Sequence, residues 1–262
     1  EQGADLIIAV DPDADRCALA VPDPASETGW TPLSGDQIGS LLGEFLASRG
    51  MKGSLANSIV SSRLLSRIAR AHGLEHHTTL TGFKWIARAP GLGFGYEEAI
   101  GFCPDPAHVR DKDGIATSVV AASLVAALKA QGRSVWDELE RLARLHGLHV
   151  SSPLTFRVEE IEQIANGMAR LRAQPPSVLA GSPVVEVSDL SQGYRGLPPT
   201  DGVLVLTEAG DRVIARPSGT EPKLKCYLEV ILPVAEGEPL PWEQAHERLD
   251  AIKGAFAEII GL

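Results

Sequence analysis

The stretch LIIAVDPDADR, residues 6–16, decides the fold class. Its first half is a continuous apolar run, which is typical of a strand buried on both faces of a parallel sheet. A loop with three aspartates follows directly, and a second apolar run occupies residues 17–21. This part of the chain therefore predicts a sheet whose strand ends in an acidic loop.

Around this stretch the chain divides into three parts. Residues 1–32 hold one strand–loop–strand unit, too little to bury a core, so we expect the remnant of a domain whose beginning is missing. Residues 33–150 alternate helical and strand patterns, which predicts an α/β domain with a largely parallel sheet. Residues 151–262 hold strands joined by tight turns with helices at both ends, which predicts an α+β domain.

Local signals predict several helix ends in the second part. Ser34 and Gln37 have the spacing of a capping box, and Ser134 is placed to cap a later helix. The pair His72-Gly73 is typical of a helix end. Residues 115–128 predict a long, mostly buried helix.

Composition excludes several classes of protein. The chain has 262 residues, a formal net charge of −10 and 44% hydrophobic residues, which is typical of a soluble globular protein. The acidic balance argues against non-specific binding to nucleic acid or to an anionic membrane surface. No apolar run reaches the roughly 18 residues of a membrane span, and three scattered cysteines fit a reducing cytoplasm without a disulfide framework.

The acidic loop has the composition of a cation site. Asp11, Asp13 and Asp15 lie two residues apart, so that three carboxylates can converge on one hard cation such as Mg²⁺. Their mutual repulsion favours a bound cation, and Arg16 can reach a phosphate that shares the metal. The alternatives are a solvated acidic turn and a calcium loop, but an EF-hand needs Gly where this loop has Arg16.

A second loop, RPSGTEPK at residues 216–223, lies between two predicted strands. Arg216 offers a planar fork of donors, Ser218 and Thr220 add hydroxyls, and Gly219 lets backbone N–H groups approach an anion. The alternative is a hairpin turn that uses Pro and Gly for geometry alone. A turn does not need Arg, Ser, Thr and Lys together, so the composition favours phosphate binding.

Three weaker motifs lie between these loops. Glu97 and Glu98 follow a predicted strand, where they can bind sugar hydroxyls or simply begin a helix. Lys84 and Lys112 precede predicted helices and can meet a phosphate or transfer a proton, although surface lysines are common. The histidines show no metal-binding spacing with a carboxylate partner, and we interpret them as structural or solvent-facing.

The order of the motifs DPDADR, TGFK, EEAIG, RDKDG and RPSGTEPK resembles the α-D-phosphohexomutase family, which includes phosphoglucomutases and phosphomannomutases. The resemblance implies four domains around one cleft, of which this chain would carry part of the metal-loop domain (1–32), the sugar-recognition domain (33–150) and the phosphate-binding domain (151–262). It also implies Mg²⁺ as cofactor, and a phosphosugar and a bisphosphorylated intermediate as partners.

The resemblance assigns roles to residues that match the family motifs. They are Asp11, Asp13 and Asp15 as metal ligands; Arg16 and Lys112 as catalytic residues; and Lys84, Glu97, Arg216, Ser218, Gly219 and Thr220 as substrate-binding residues. Many family members have Ser where this chain has Ala99, and the EEAIG form resembles a subgroup that includes phosphopentomutase-like proteins. The sugar, whether mannose, glucose or pentose, therefore stays open.

The segment that carries the family's phosphorylated serine, Thr-x-Ser-His-Asn-Pro, does not occur in these residues. We expect a mutase that moves a phosphoryl group between positions 1 and 6 of a sugar through a serine absent from this chain, which alone would be inactive. One alternative is an aspartyl-phosphate phosphatase with Asp11 as nucleophile. The other is a phosphosugar-binding fragment without catalysis.

Overall fold

A computed structural model describes residues 3–218 and 221–261 of the protein. The chain forms two compact units, Glu1–His146 and Gly147–Leu262. The boundary between these two units falls close to the predicted division at residue 150. The predicted division at residue 32 has no counterpart among the units, and the three-domain assignment stays a prediction.

The first unit begins with a three-stranded antiparallel sheet in the order β1-β2-β3. Its strands are β1 (Ile7–Val10), β2 (Cys17–Pro22) and β3 (Trp30–Pro32). The predicted strand at β1 is confirmed, but its burial in a parallel sheet was wrong. Among the described strands β1 lies at the sheet edge and pairs with antiparallel β2, and its side chains, such as that of Val10 at 46% exposure, face outward.

The second sheet of this unit has the order β5-β4-β6-β7, with β5, β4 and β6 parallel and β7 antiparallel. The strands are β4 (Ser54–Ser58), β5 (His76–Thr79), β6 (Leu92–Glu97) and β7 (Gly101–Cys103). The helices are α1 (Gly35–Ser48), α2 (Leu64–Ala71), α3 (Phe83–Ile86), α4 (Gly114–Ala130) and α5 (Val135–His146). The predicted α/β class with a largely parallel sheet is confirmed.

The two sheets of the first unit share one hydrophobic core. Leu19 of β2 packs in the same buried cluster as Leu42 of α1 and Phe94 of β6. Residues before position 32 therefore bury their apolar side chains against the α/β part, which explains why the chain shows no separate small unit there.

The predicted helix ends agree with the structure. Ser34 and Gln37 form both bonds of the capping box at α1, and His72 ends α2. Ser134 Oγ accepts the N–H of Asp137 at 3.2 Å, so it caps α5. Asp113 caps α4 by accepting the N–H of Ala116 at 2.9 Å.

The second unit is an antiparallel sheet of six strands in the order β8-β13-β12-β11-β10-β9. Its strands are β8 (Leu148–Arg157), β9 (Val178–Leu179), β10 (Ser182–Asp189), β11 (Val203–Thr207), β12 (Arg212–Pro217) and β13 (Lys223–Leu232). Its helices, α6 (Ile161–Ala173) and α7 (Trp242–Ile260), both contact β13. The strands and helices match the predicted α+β pattern.

No single helix in the described ranges is long and apolar enough to cross a bilayer. The pair α4 and α5 passes the length and composition test only when taken together, and the two helices are bent by 89° at their junction.

Candidate functional site

The acidic loop, residues 11–16, turns sharply after β1. The N–H of Ala14 donates to the carbonyl of Asp11 at 2.9 Å, and Ala14 has a positive φ of 57°. This turn brings one carboxylate oxygen each from Asp11, Asp13 and Asp15 within 4.8 Å of one another. The three predicted metal ligands are therefore brought together.

The donor set suits a hard cation. All three side chains offer oxygen ligands, as Mg²⁺ prefers. Asp15 Oδ1 is buried and has no hydrogen-bond partner within the described part of the chain, a costly arrangement for a carboxylate oxygen unless a ligand satisfies it. Asp11, Asp13 and Asp15 thus fit a Mg²⁺ ion by both chemistry and spacing.

Arg16 contacts both carboxylate oxygens of Asp11. Its backbone N–H donates to Asp11 Oδ1 at 3.0 Å, and its guanidinium Nη1 lies 3.4 Å from Asp11 Oδ2. The backbone bond is the largest cause that lowers the pKa of Asp11, and the Arg16 charge adds to it. Asp11 is thereby held as a carboxylate, the form that binds a cation.

The 97–101 turn joins β6 to β7, so Glu97 ends a strand and does not begin a helix. The turn is bonded to the acidic loop: the N–H of Cys17 donates to the carbonyl of Ile100 at 3.0 Å, and Arg16 and Gly101 form a β-bridge. Burial and the neighbouring Glu98 raise the pKa of Glu97, against the opposing charges of Lys112 and Arg16.

The lysine loop, residues 110–114, completes this cluster. Lys112 Nζ lies 2.6 Å from Asp15 Oδ2, and the N–H of Gly114 donates to the carbonyl of Ala14 at 3.0 Å. Burial alone would lower the pKa of Lys112, but Asp15, Asp111 and Glu97 outweigh it and raise that pKa. Lys112 is therefore an ammonium at neutral pH.

Two glycines permit this close approach. A Cβ on Gly101 would lie 2.6 Å from Lys112 Cδ and 3.0 Å from Glu97 Cγ. A Cβ on Gly114 would lie 2.7 Å from the carbonyl oxygens of both Ala14 and Arg16. The absence of side chains at these positions lets the three loops meet.

In the described part of the chain Lys84, unlike Lys112, is not bonded to the acidic loop. Its side chain is exposed, and its ammonium lies 5.9 Å from the ring centre of Trp85. Among the described residues no ion pair or hydrogen bond joins Lys84 to the acidic loop. The link from this segment is made by the preceding residue, because the ring centre of Phe83 lies 5.7 Å from Lys112 Nζ.

The arginine loop, residues 216–223, lies in the second unit. Arg216 belongs to β12, and the N–H of Ser218 donates to the carbonyl of Lys223 at 2.9 Å. Within the described ranges the Arg216 guanidinium makes no ion pair or hydrogen bond. It is therefore available to an anion. The predicted residues Gly219 and Thr220 lie outside the described residues.

Two cations outside the motif, Lys225 and Arg157, lie beside this loop in the sheet. In the strand register Arg216 of β12 lies opposite Lys225 of β13, and Lys223 of β13 lies opposite Arg157 of β8. Because side chains alternate along a strand, Lys223 and Lys225 lie on the same face as Arg216. The alternation Lys-Leu-Lys could have indicated this pair from sequence, whereas Arg157 could not be found without the sheet register.

Comparison with profiles of known protein families shows which family the chain is related to. The profile described as "Phosphoglucomutase/phosphomannomutase, alpha/beta/alpha domain III" matches residues 34–145, and the profile described as the C-terminal domain of the same family matches residues 156–240. The chain belongs to the phosphoglucomutase/phosphomannomutase family. The predicted resemblance is therefore confirmed, and the two matches fall one in each compact unit.

Two curated relatives illustrate the family. A Haemophilus influenzae protein named "Probable phosphomannomutase" is 43% identical over 231 residues, which cover 87% of this chain and 47% of the relative. A mouse phosphopentomutase is 31% identical over 291 aligned positions, which cover 97% of this chain and 46% of the relative. The chain thus spans about half the length of these curated relatives.

The fold also agrees with a solved structure of a protein in this family. The crystal structure of parafusin, a Paramecium phosphoglucomutase in an open form, matches with a TM-score of 0.72 at 18% sequence identity. The match covers 98% of this chain and 46% of that chain. At this identity the likeness concerns the fold alone.

The family matches also bear on the alternative reading of the acidic loop. Neither match supports an aspartyl-phosphate phosphatase with Asp11 as nucleophile. In the described residues the only candidate metal cluster is the aspartate one, and it contains no histidine. The histidines paired with carboxylates differ in exposure: the side chain of His149, 3.0 Å from Glu229, is 1% exposed, whereas that of His108, 2.7 Å from Asp105, is 82% exposed.

Proposed function

We propose that the protein is a phosphosugar mutase, an isomerase that interconverts sugar 1-phosphate and 6-phosphate by phosphoryl transfer. The observation that carries this proposal is the meeting of the acidic loop, the 97–101 turn and the lysine loop. Together they bring three aspartates that could hold a cation, the carboxylate of Glu97 and the ammonium of Lys112 into one unit. The names of the relatives, which include a phosphomannomutase and a phosphopentomutase, support the same reaction class.

Asp11, Asp13 and Asp15 would hold a Mg²⁺ ion, with Arg16 fixing Asp11. When bound, this ion would neutralise charge on the phosphoryl group during transfer. The unsatisfied Oδ1 of Asp15 supports the assignment, because a ligand is needed there to offset its burial.

Glu97 would accept hydrogen bonds from sugar hydroxyls, and Lys112 would hold or deliver a proton at the hydroxyl that gains or loses the phosphoryl group. The raised pKa of Lys112 favours its charged form, which also suits contact with a phosphate. Lys84 would contribute a further cation at the rim of this site. Hydroxyl contacts from one carboxylate tolerate a sugar bound in two orientations, as a bisphosphorylated intermediate requires.

Arg216 and Ser218, together with Gly219 and Thr220, would hold the phosphate that is not transferred. The guanidinium of Arg216 has no partner among the described residues, and its cross-strand neighbour Lys225 adds a second cation. Planar bidentate donation by arginine suits a phosphate group well.

The phosphoryl carrier is proposed to be a serine outside these 262 residues, and this chain alone is proposed to be inactive. The basis is that the chain spans about half the length of its relatives and holds no segment of the phosphoserine type. We also propose a cytoplasmic protein, which the three buried free cysteines support.

The substrate is proposed to be a hexose phosphate of the mannose or glucose series. A pentose phosphate is the second candidate, because a relative that matches 97% of this chain is named phosphopentomutase. A binding role without catalysis is the remaining alternative for the chain by itself.

The test is a mutase assay of the full-length protein on mannose 1-phosphate, glucose 1-phosphate and ribose 1-phosphate side by side. We expect isomerisation with Mg²⁺, and near-complete loss in the Asp13→Ala variant. Turnover of Asp13→Ala at the wild-type rate in Mg²⁺ would contradict the metal assignment, and covalent phosphate on Asp11 would favour the phosphatase alternative.

A further inference from the structure

Two buried serines at the end of β4 bind the side chain of Glu98. Ser58 Oγ and Ser61 Oγ donate to Glu98 Oε2 at 3.1 Å and 3.0 Å, and both serines are 1% exposed. The backbone N–H of Glu98 also donates to Ser61 Oγ at 3.2 Å. Glu98 is therefore bonded through its side chain to the last residue of β4, and through both its main chain and its side chain to the segment that follows β4.

The segment that carries these serines is itself fixed by buried polar groups. Asn57 Nδ2 donates to the carbonyl of Ser62 at 2.8 Å. Asp36 Oδ1 accepts the N–H of Ser62 at 2.7 Å and the hydroxyl of Tyr96 at 2.9 Å. Because all four residues are buried, the serines form a rigid anchor.

The turn that depends on this anchor has an unfavourable backbone. Ile100, a β-branched residue, has a positive φ of 57°, which such residues rarely adopt. Helix α1 also crowds the turn, since a Cβ on Gly35 would lie only 2.1 Å from the carbonyl oxygen of Glu98. Such a conformation persists only when surrounding contacts hold it in place.

Glu97 and Glu98 have different surroundings. Glu97 packs at Gly101 beside Lys112, whereas Glu98 is bonded to Ser58 and Ser61. We propose that Glu98 is a positioning residue: it fixes the 97–101 turn so that Glu97 meets the sugar hydroxyls. This inference rests on the proposed function of the same site, and it assigns Glu98 no contact with the substrate.

The kinetic test uses the full-length protein. In Glu98→Ala we expect the KM for the phosphosugar to rise about 10- to 100-fold with a smaller change in kcat, because a displaced binding group weakens binding throughout the reaction. The double variant Ser58→Ala/Ser61→Ala should reproduce this effect. Glu98→Gln keeps an acceptor oxygen for the serines and should restore KM to near the wild-type value.

The matched control is Ser54→Ala, which removes a buried serine of the same strand that bonds to Pro90 and not to the turn. Its KM should stay at the wild-type value. If Glu98 instead contacts the sugar, the serine double variant will leave KM unchanged and Glu98→Gln will fail to restore it. Either result overturns the positioning role.

A second measurement separates this inference from the proposed function. Amide hydrogen exchange of residues 97–101 should become about 10-fold faster in Glu98→Ala and in the serine double variant, but not in Ser54→Ala. Unchanged exchange in Glu98→Ala would refute the positioning role. Faster exchange in a protein that isomerises no phosphosugar would refute the proposed function while leaving the anchoring of the turn established.

Discussion

The ammonium of Lys112 lies 2.6 Å from Asp15 Oδ2, so the lysine loop is ion-paired to the acidic loop. The same carboxylate group carries the buried, unsatisfied Oδ1. One aspartate therefore faces a protein cation on one oxygen and offers the other to a ligand. This pair makes the charge of Lys112 part of the electrostatic environment of any cation bound between the aspartates.

Replacing Lys112 should consequently change metal affinity. We expect Lys112→Met to bind Mg²⁺ about tenfold more tightly, because a repelling positive charge at close range is removed. Titration calorimetry of Mg²⁺ into the protein measures the change. Lys112→Arg, which keeps the charge, is the control, and equal affinities in all three proteins would show that Lys112 does not act on the metal site.

The approach of α4 to the acidic loop gives a steric prediction. In Gly114→Ala the new Cβ would meet two backbone oxygens of the loop at 2.7 Å, so the backbone must shift. We expect the free energy of unfolding to fall by about 1–3 kcal/mol, together with weaker Mg²⁺ binding.

Gly254→Ala in α7 is the matched control, because a Cβ there has no heavy atom within 4 Å. It should leave stability unchanged or raise it by up to about 1 kcal/mol through helix propensity. Chemical denaturation of both variants gives the comparison, and equal stability of the two would rule out the predicted clash.

The half-buried His76 of β5 predicts a pH dependence of stability. Burial, assisted by the nearby His77, lowers the pKa of His76 from 6.5 to about 4. Between these values the unfolded chain binds a proton that the folded chain does not, so stability falls as pH falls below 6.5. From pH 7 to pH 5 we expect His76 to account for a loss of about 1–2 kcal/mol.

His76→Gln can still donate to Asn57 Oδ1, which lies 2.9 Å from His76 Nε2, and it should remove this part of the pH dependence. The exposed His108 provides the control variant His108→Gln. Denaturation curves at pH 7, 6 and 5 measure the effect. An identical slope in wild type and His76→Gln would contradict the assignment.

The arginine loop predicts a defined loss of anion binding. We expect Arg216→Ala to weaken binding of a hexose 6-phosphate about 10- to 100-fold, since hydrogen bonds to charged groups contribute about 1.5–3 kcal/mol. The affinity of Arg216→Lys should lie between those of the wild type and Arg216→Ala, because lysine keeps the charge without the planar fork of donors. Arg195→Ala removes a 69% exposed arginine of the same unit and should bind normally.

The parts of the fold that sequence predicted are those set by neighbours along the chain. The capping box at Ser34, the turn of the acidic loop and the start of α4, predicted at residue 115 and found at Gly114, each depend on a few consecutive residues. Strands β4 and β5 were not predicted, because their sequences SLANS and HHTT lack an apolar run. Their polar side chains are satisfied by distant partners, as with Asn57 and His76.

The same distinction applies to the site. The acidic loop could be predicted because its three ligands are adjacent in sequence. The anchoring of Glu98 by Ser58 and Ser61 joins residues 40 and 37 positions apart, and the pairing of Lys223 with Arg157 needs the sheet register. No local pattern carries that information.

The main-chain bonds that join the acidic loop, the 97–101 turn and the lysine loop have a thermodynamic consequence. Cys17 to Ile100 and Gly114 to Ala14 are bonds within the folded chain, formed before any ligand arrives. The loss of conformational entropy from ordering these segments therefore belongs to folding and not to ligand association. The three loops form a preorganised surface, on which a ligand loses its own freedom but requires little further ordering of the protein.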